Sequence, residues 1–200
     1  VLEAERDCIL VDARGHGRSS APETGYDPLT QGRDLAGLIE ALGLDRPPVL
    51  GHSMGAASTL GLASQFPEAV GAILLEDPPM WWLAPDPSDT ALAERVAGMR
   101  AWMEGLKFKT RAELIATERV NQPAWSEEEL GPWADSKLLV SANVARIFED
   151  RFMERLGWPE AFTAITCPAL LISSDPERGG IVTAEGAAKM KASLPQMQLV

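Results

Sequence analysis

Short continuous apolar runs alternate with segments of helical periodicity over the first third of the chain. Residues 8–11 (Cys-Ile-Leu-Val), 49–50 (Val-Leu) and 70–75 (Val-Gly-Ala-Ile-Leu-Leu) read as strands buried on both faces of a parallel sheet. Between the first two, Asp27 and Pro28 suit an N-cap and a first helical position. Leu35, Leu38, Ile39 and Leu42 follow at i, i+3, i+4 and i+7, one helical face, and Gly43 is a stop. Residues 53–65, rich in Gly and Ala, predict a second helix, ended by Pro67. Strands that alternate with helices through short connections predict a parallel sheet flanked by helices.

The pattern changes between about 79 and 159. This stretch has no strand-like run and holds all six tryptophans. Thr110 with Glu113 and Ser126 with Glu129 have capping-box spacing, and 138–152 reads as helical. Strand character returns at 169–172 (Ala-Leu-Leu-Ile) after Pro168. A short helix is expected near 184–192, and a further strand begins at 197–200. The expected architecture is α/β. A mostly parallel core is built from 1–78 and 160–200, and a helical cap, 79–159, sits over one edge of the sheet.

Composition narrows the partners. An apolar fraction of 46% and a charged fraction of 24% are ordinary for a globular protein. The net charge of -11 disfavours nucleic acid and anionic membrane surfaces as partners. No apolar run is long enough to span a bilayer. Cys8 and Cys167 have no metal-like spacing and read as two buried thiols of a reducing, cytoplasmic compartment, with a single disulfide as the other reading. No metal-ligand cluster and no phosphate-cradling loop is apparent. The composition does not fix an oligomeric state.

The chemistry is concentrated at Gly51-His52-Ser53-Met54-Gly55, a G-x-S-x-G motif with a predicted strand before it and a predicted helix after it. That context is what a nucleophile elbow requires. So tight a turn leaves no room for bulk two residues either side of the serine, which accounts for Gly51 and Gly55. The helix N-terminus offers unpaired N–H groups, and the N–H of Met54 is placed to receive a developing oxyanion.

Other stretches carry a resemblance. Asp12-Ala13-Arg14-Gly15-His16-Gly17-Arg18-Ser19 resembles the D-x-R-G-x-G-x-S loop of the α/β-hydrolase family. Residues 51–55 are similar to that family's elbow, Asp77-Pro78-Pro79 follows the next strand as in many members, and 167–172 resembles the strand that delivers the catalytic acid. The resemblance covers nearly the whole chain. It implies the fold, a cap over the site, no cofactor, and a histidine base that follows the last strand in a Gly-His context. The family's first strands and its second oxyanion donor, from a His-Gly loop, have no counterpart here. The expectation is a chain truncated at both ends and, by itself, inactive for want of the histidine.

Within the chain only His16 and His52 could act as base. His52 is next to Ser53 and its side chain should diverge from the serine, towards the pocket floor. His16 reads as a loop-holding residue. Asp175, short and followed by a proline at a strand end, is the favoured acid, with Asp77 and Glu177 as alternatives. In the cap, Met80, Trp102, Met103, Trp125 and Trp133 suit its own core, whereas Trp81 and Trp82 follow a strand end and have the better claim to a substrate pocket. These features predict hydrolysis of a small or medium apolar carboxylic ester, lactone or thioester through an acyl-enzyme on Ser53. The alternatives are carbon–carbon bond hydrolysis on the same elbow and a non-catalytic ligand-binding protein. An Asp-nucleophile dehalogenase or epoxide hydrolase is disfavoured by the serine at 53.

Overall fold

A computed structural model describes residues 2–80, 88–148 and 160–200. Four strands, β1 (Pro48–His52), β2 (Ala72–Glu76), β3 (Ala169–Ile172) and β4 (Met197–Leu199), form one parallel sheet in the order β1-β2-β3-β4. The helices are α1 (Pro28–Ala41), α2 (Met54–Gln65), α3 (Asp89–Leu106), α4 (Arg111–Asn121), α5 (Glu127–Leu139) and α6 (Ala184–Ser193).

The chain divides into two compact units, one made of Val1–Thr24 with Leu92–Arg146, the other of Gly25–Ala91 with Ile147–Val200. The second unit holds the sheet. Its core joins Leu60 and Leu62 of α2, Ile73 and Leu75 of β2, Leu171 of β3, Met190 of α6 and Met197 of β4. Parallel strands need crossovers long enough to return the chain, and α2 supplies the one between β1 and β2. α2 packs on both of those strands, and α1 packs on α2.

Local signals explain α1. The Asp27 carboxylate accepts the Thr30 N–H at 3.0 Å, with Pro28 in the first turn. At the far end Gly43 (φ 61°) and Leu44 donate to the carbonyls of Glu40 and Ile39, which closes the helix with a left-handed turn. The buried face runs through Pro28, Gln31, Gly32 and Ile39, with Leu35 half-buried, and leaves Leu42 exposed. Gln31 is a buried polar group with both ends satisfied. Its Nε2 donates to the Tyr26 carbonyl at 2.7 Å, and its Oε1 accepts from Ser58 at 3.1 Å.

In the first unit, the Glu113 carboxylate caps Thr110 and the Glu129 carboxylate accepts the Ser126 N–H at 2.7 Å, as the spacings predict. Arg111 and Asp135 join α4 to α5 through a two-pronged ion pair at 2.7 and 3.2 Å. The 12–24 loop groups with this helical segment because Ser141 donates to the Gly15 carbonyl at 2.7 Å and Asn143 to the Pro22 carbonyl at 3.1 Å. Among the described residues, no helix is long and apolar enough to cross a membrane.

Four expectations are corrected. Residues 8–11 are not a strand, and Leu10 is 94% exposed. An apolar run becomes a buried strand only with a ladder partner, and no described strand pairs with it. Cys8 in that run is therefore exposed; Cys167 is buried, and both are free thiols. Burial pushes the Cys167 thiol up from its usual range. β1 is an edge of the described sheet, with Leu50 exposed, whereas β2 and β3 alternate buried with half-buried positions. The continuous helix expected at 138–152 is instead the end of α5, a break at Val140–Ser141, and a 3-10 turn over Ala142–Phe148, beyond which the stretch lies outside the described residues.

Candidate active site

β1 ends at His52, α2 begins at Met54, and Ser53 makes the whole connection. Its φ of 51° with ψ of -116° lies outside the regions L-residues favour, a strain of about 1–3 kcal/mol that the surroundings must impose. Three hydrogen bonds impose it. The Ser53 N–H donates to the Glu76 carbonyl at 2.9 Å and continues the β1–β2 ladder. Its carbonyl accepts from Ala56 and Ala57, at 2.9 and 3.2 Å, and starts α2.

A serine at a helix N-cap usually accepts a backbone N–H with its own hydroxyl. Ser53 makes no such bond. The strained backbone thus leaves Oγ uncommitted beside the N–H groups of Met54 and Gly55, for which no described residue is an acceptor. An uncommitted hydroxyl beside unpaired N–H groups suits acyl transfer, in which charge develops on a carbonyl oxygen.

The two flanking glycines are not equivalent. A Cβ on Gly51 would lie 2.2 Å from the Gly55 carbonyl oxygen, so only glycine fits where the elbow doubles back. A Cβ on Gly55 would meet no described atom within 4 Å. The expectation that both relieve a clash is thus corrected: Gly55 matters through its backbone.

Asp77 follows β2 as Ser53 follows β1. It is 7% exposed and has a φ of 43°. Its Oδ1 accepts the N–H groups of Ile181 and Val182, at 3.1 and 3.0 Å, and its Oδ2 shares the Ile181 N–H at 3.0 Å. The carboxylate is thereby fixed in orientation, and Oδ2 keeps the larger free acceptor capacity. Asp175 stands differently. It is exposed, and its Oδ1 accepts the Glu177 N–H at 3.0 Å to cap the 3-10 turn Pro176–Arg178. Glu177 is an exposed member of that turn.

His52 is exposed at the end of β1. His16 belongs to the other compact unit, where its ring Nδ1–H donates to the Arg14 carbonyl at 3.1 Å. Beside it the Asp12 carboxylate accepts the Arg18 N–H at 3.0 Å, and the Ser19 hydroxyl donates to the Asp12 carbonyl at 2.6 Å. Trp81 and Trp82 lie outside the described residues. Sequence reading missed the backbone N–H groups of Ile181 and Val182. Main-chain donors have no residue signature, and the only available signal was the Gly179-Gly180 pair that precedes them.

Residues 1–200 match the sequence profile of the "Alpha/beta hydrolase family". The chain belongs to that family and is of the hydrolase class. It is 28% identical to the 2-(acetamidomethylene)succinate hydrolase of Mesorhizobium japonicum over 202 residues, which cover 96% of this chain and 68% of that protein. It is also 28% identical to the N-formylmaleamate deformylase of Pseudomonas putida over 195 residues, 96% of this chain and 69% of the relative. The crystal structure of E-2-(acetamidomethylene)succinate hydrolase shares the fold, with a TM-score of 0.65 at 24% identity, over 94% of this chain and 69% of that one.

Proposed function

We propose that the protein is a serine hydrolase that transfers the acyl group of a small carboxylic acid derivative to Ser53 and then to water. The observation that carries this is the strained turn at Ser53, whose hydroxyl makes no cap bond beside unpaired helix N–H groups. Ser53 Oγ attacks the substrate carbonyl, and the carbonyl oxygen takes the negative charge at the Met54 N–H. Collapse expels the leaving group, and water repeats the sequence on the acyl-enzyme.

The acid in this proposal is Asp77 rather than Asp175 or Glu177. Asp77 is buried, immobilised, and one strand away from Ser53, a spacing of about 4.8 Å between strand axes. A triad acid orients an imidazole and stabilises its cation, which an exposed carboxylate engaged in its own turn does poorly. Neither histidine of residues 1–200 is assigned the imidazole role, since His16 is bonded within its own loop and His52 diverges from Ser53 along the strand.

The bond cleaved is proposed to be an ester or an amide. Trp81 and Trp82, read from the sequence as pocket residues, favour the ester; similarity to a deformylase and an acetamidomethylene-succinate hydrolase favours a small amide. In the full-length protein, a fluorophosphonate should add to Ser53, as read by peptide mass, and Asp77→Asn should lower kcat for p-nitrophenyl acetate by about 10⁴-fold. Labelling at another residue would remove Ser53 from its role, and an Asp77→Asn enzyme with full turnover would remove Asp77.

A further inference from the structure

The loop from β3 to α6 carries two exposed carboxylates, Asp175 and Glu177, and its path ends on a third, Asp77, that is buried. We propose that Asp175 is a positioning residue: it folds the 175–182 loop so that the Ile181 and Val182 N–H groups clamp the Asp77 carboxylate. This rests on the reading of Asp77 as the acid.

Asp175 organises the turn with both its side chain and its main chain. Its Oδ1 accepts the Glu177 N–H at 3.0 Å, and its carbonyl accepts the Arg178 and Gly180 N–H groups, each at 2.9 Å. The chain then reverses through two glycines. Gly179 has a φ of 102°, and a Cβ on Gly180 would lie 2.5 Å from the Ser174 carbonyl oxygen. Only a side-chain-free backbone passes this close to the strand end. The next two residues present their N–H groups to Asp77.

The far side of the loop is pinned independently. Val182 is 2% exposed within the core, and Thr183 caps α6 by accepting the Gly186 N–H at 3.0 Å. Ile181 is half exposed and has no such anchor, so its position depends on the turn that Asp175 closes. Three bonds to one carboxylate fix its plane, and a misplacement of about 1 Å in such a group can reduce turnover about 100-fold. A capping role is met by Asn as well as by Asp, but by Ala poorly. A catalytic acid tolerates neither, which separates the two roles.

The test measures kcat and KM for p-nitrophenyl acetate in the full-length protein, with hydrogen exchange of the peptide spanning 176–183. Asp175→Ala should lower kcat about 10- to 100-fold with KM changed less than about twofold, and should speed exchange at Ile181 and Val182 while α2 stays protected. Asp175→Asn should restore kcat to within about threefold of the parent and restore the slow exchange. Equal losses in the Ala and Asn variants would mean that the Asp175 charge itself acts, and would overturn the proposal. An Ala variant with parental kcat and parental exchange would overturn it too. Full turnover in Asp77→Asn would instead remove the underlying acid, a failure visible without any Asp175 variant.

Discussion

Ser53 and Asp77 leave neighbouring parallel strands at the same level, both with positive φ, and each donates its N–H to the last carbonyl of the next strand. Ser53 bonds to Glu76 and Asp77 to Ile172, both at 2.9 Å. Ser173 donates in the same direction to Val200, one residue past the end of β4, at 2.9 Å. The sheet thus holds two strained residues side by side at one end. Strain that the fold maintains at adjacent points is where pre-organised chemistry is expected.

That strain is measurable. Ser53→Ala keeps the backbone problem and removes the hydroxyl, so turnover should vanish with stability changed by less than about 0.5 kcal/mol. Ser53→Gly should be as inactive, yet more stable by about 1 kcal/mol, because relief of about 1–3 kcal/mol outweighs glycine's added unfolded freedom of about 0.5–1 kcal/mol. Thermal melts of the two variants check this. A glycine variant no more stable than the alanine one would show that the turn is unstrained.

The elbow glycines should respond unequally. Gly51→Ala drives a Cβ into the Gly55 carbonyl and should destabilise by about 1–3 kcal/mol, with loss of activity. Gly55→Ala meets open space and should fall within about 0.5 kcal/mol of the parent. Chemical denaturation of both variants, with equal m-values, decides the matter.

The two thiols should react with a disulfide reagent in separate phases. Cys8 is exposed, and Cys167 is buried with its thiol pushed up by that burial, which leaves little thiolate. A disulfide reagent at pH 8 should consume one equivalent quickly and the second only with unfolding. Cys8→Ser should remove the fast phase; persistence of that phase would place Cys167 at the surface.

Acid should weaken the helical unit. The Thr110 backbone N–H and then its hydroxyl hold Glu113 below the usual carboxylate range, and the hydrogen bond from Arg111 does the same for Asp135. A carboxylate depressed in the folded state adds stability above its unfolded value, near 4, and loses it as pH falls through the folded value. Glu113→Gln with Asp135→Asn should therefore flatten the fall in melting temperature between pH 7 and pH 3. A fall as steep as the parent's would show that these bonds do not couple to folding.

Much of this protein was legible in its sequence because the signals are local. The elbow needs only a strand, a serine and a helix in succession, and G-x-S-x-G with its flanks encodes all three. The capping boxes at 110–113 and 126–129 and the Asp27-Pro28 start act within one turn, so spacing alone finds them. The apolar runs at 70–75, 169–172 and 197–200 predict strands, and the strands lie at Ala72–Glu76, Ala169–Ile172 and Met197–Leu199. The run at 8–11 has the same composition and forms none, because a strand also requires a neighbour to complete its ladder. Which of Asp77, Asp175 and Glu177 is buried was likewise beyond the sequence, where all three are loop carboxylates. Only the fold brings Ile181 and Val182, more than 100 residues away, onto Asp77. It turns the side chain of Asp175 onto its own loop. Burial and long-range donors, which separate a fixed carboxylate from a solvated one, are properties of the packed chain.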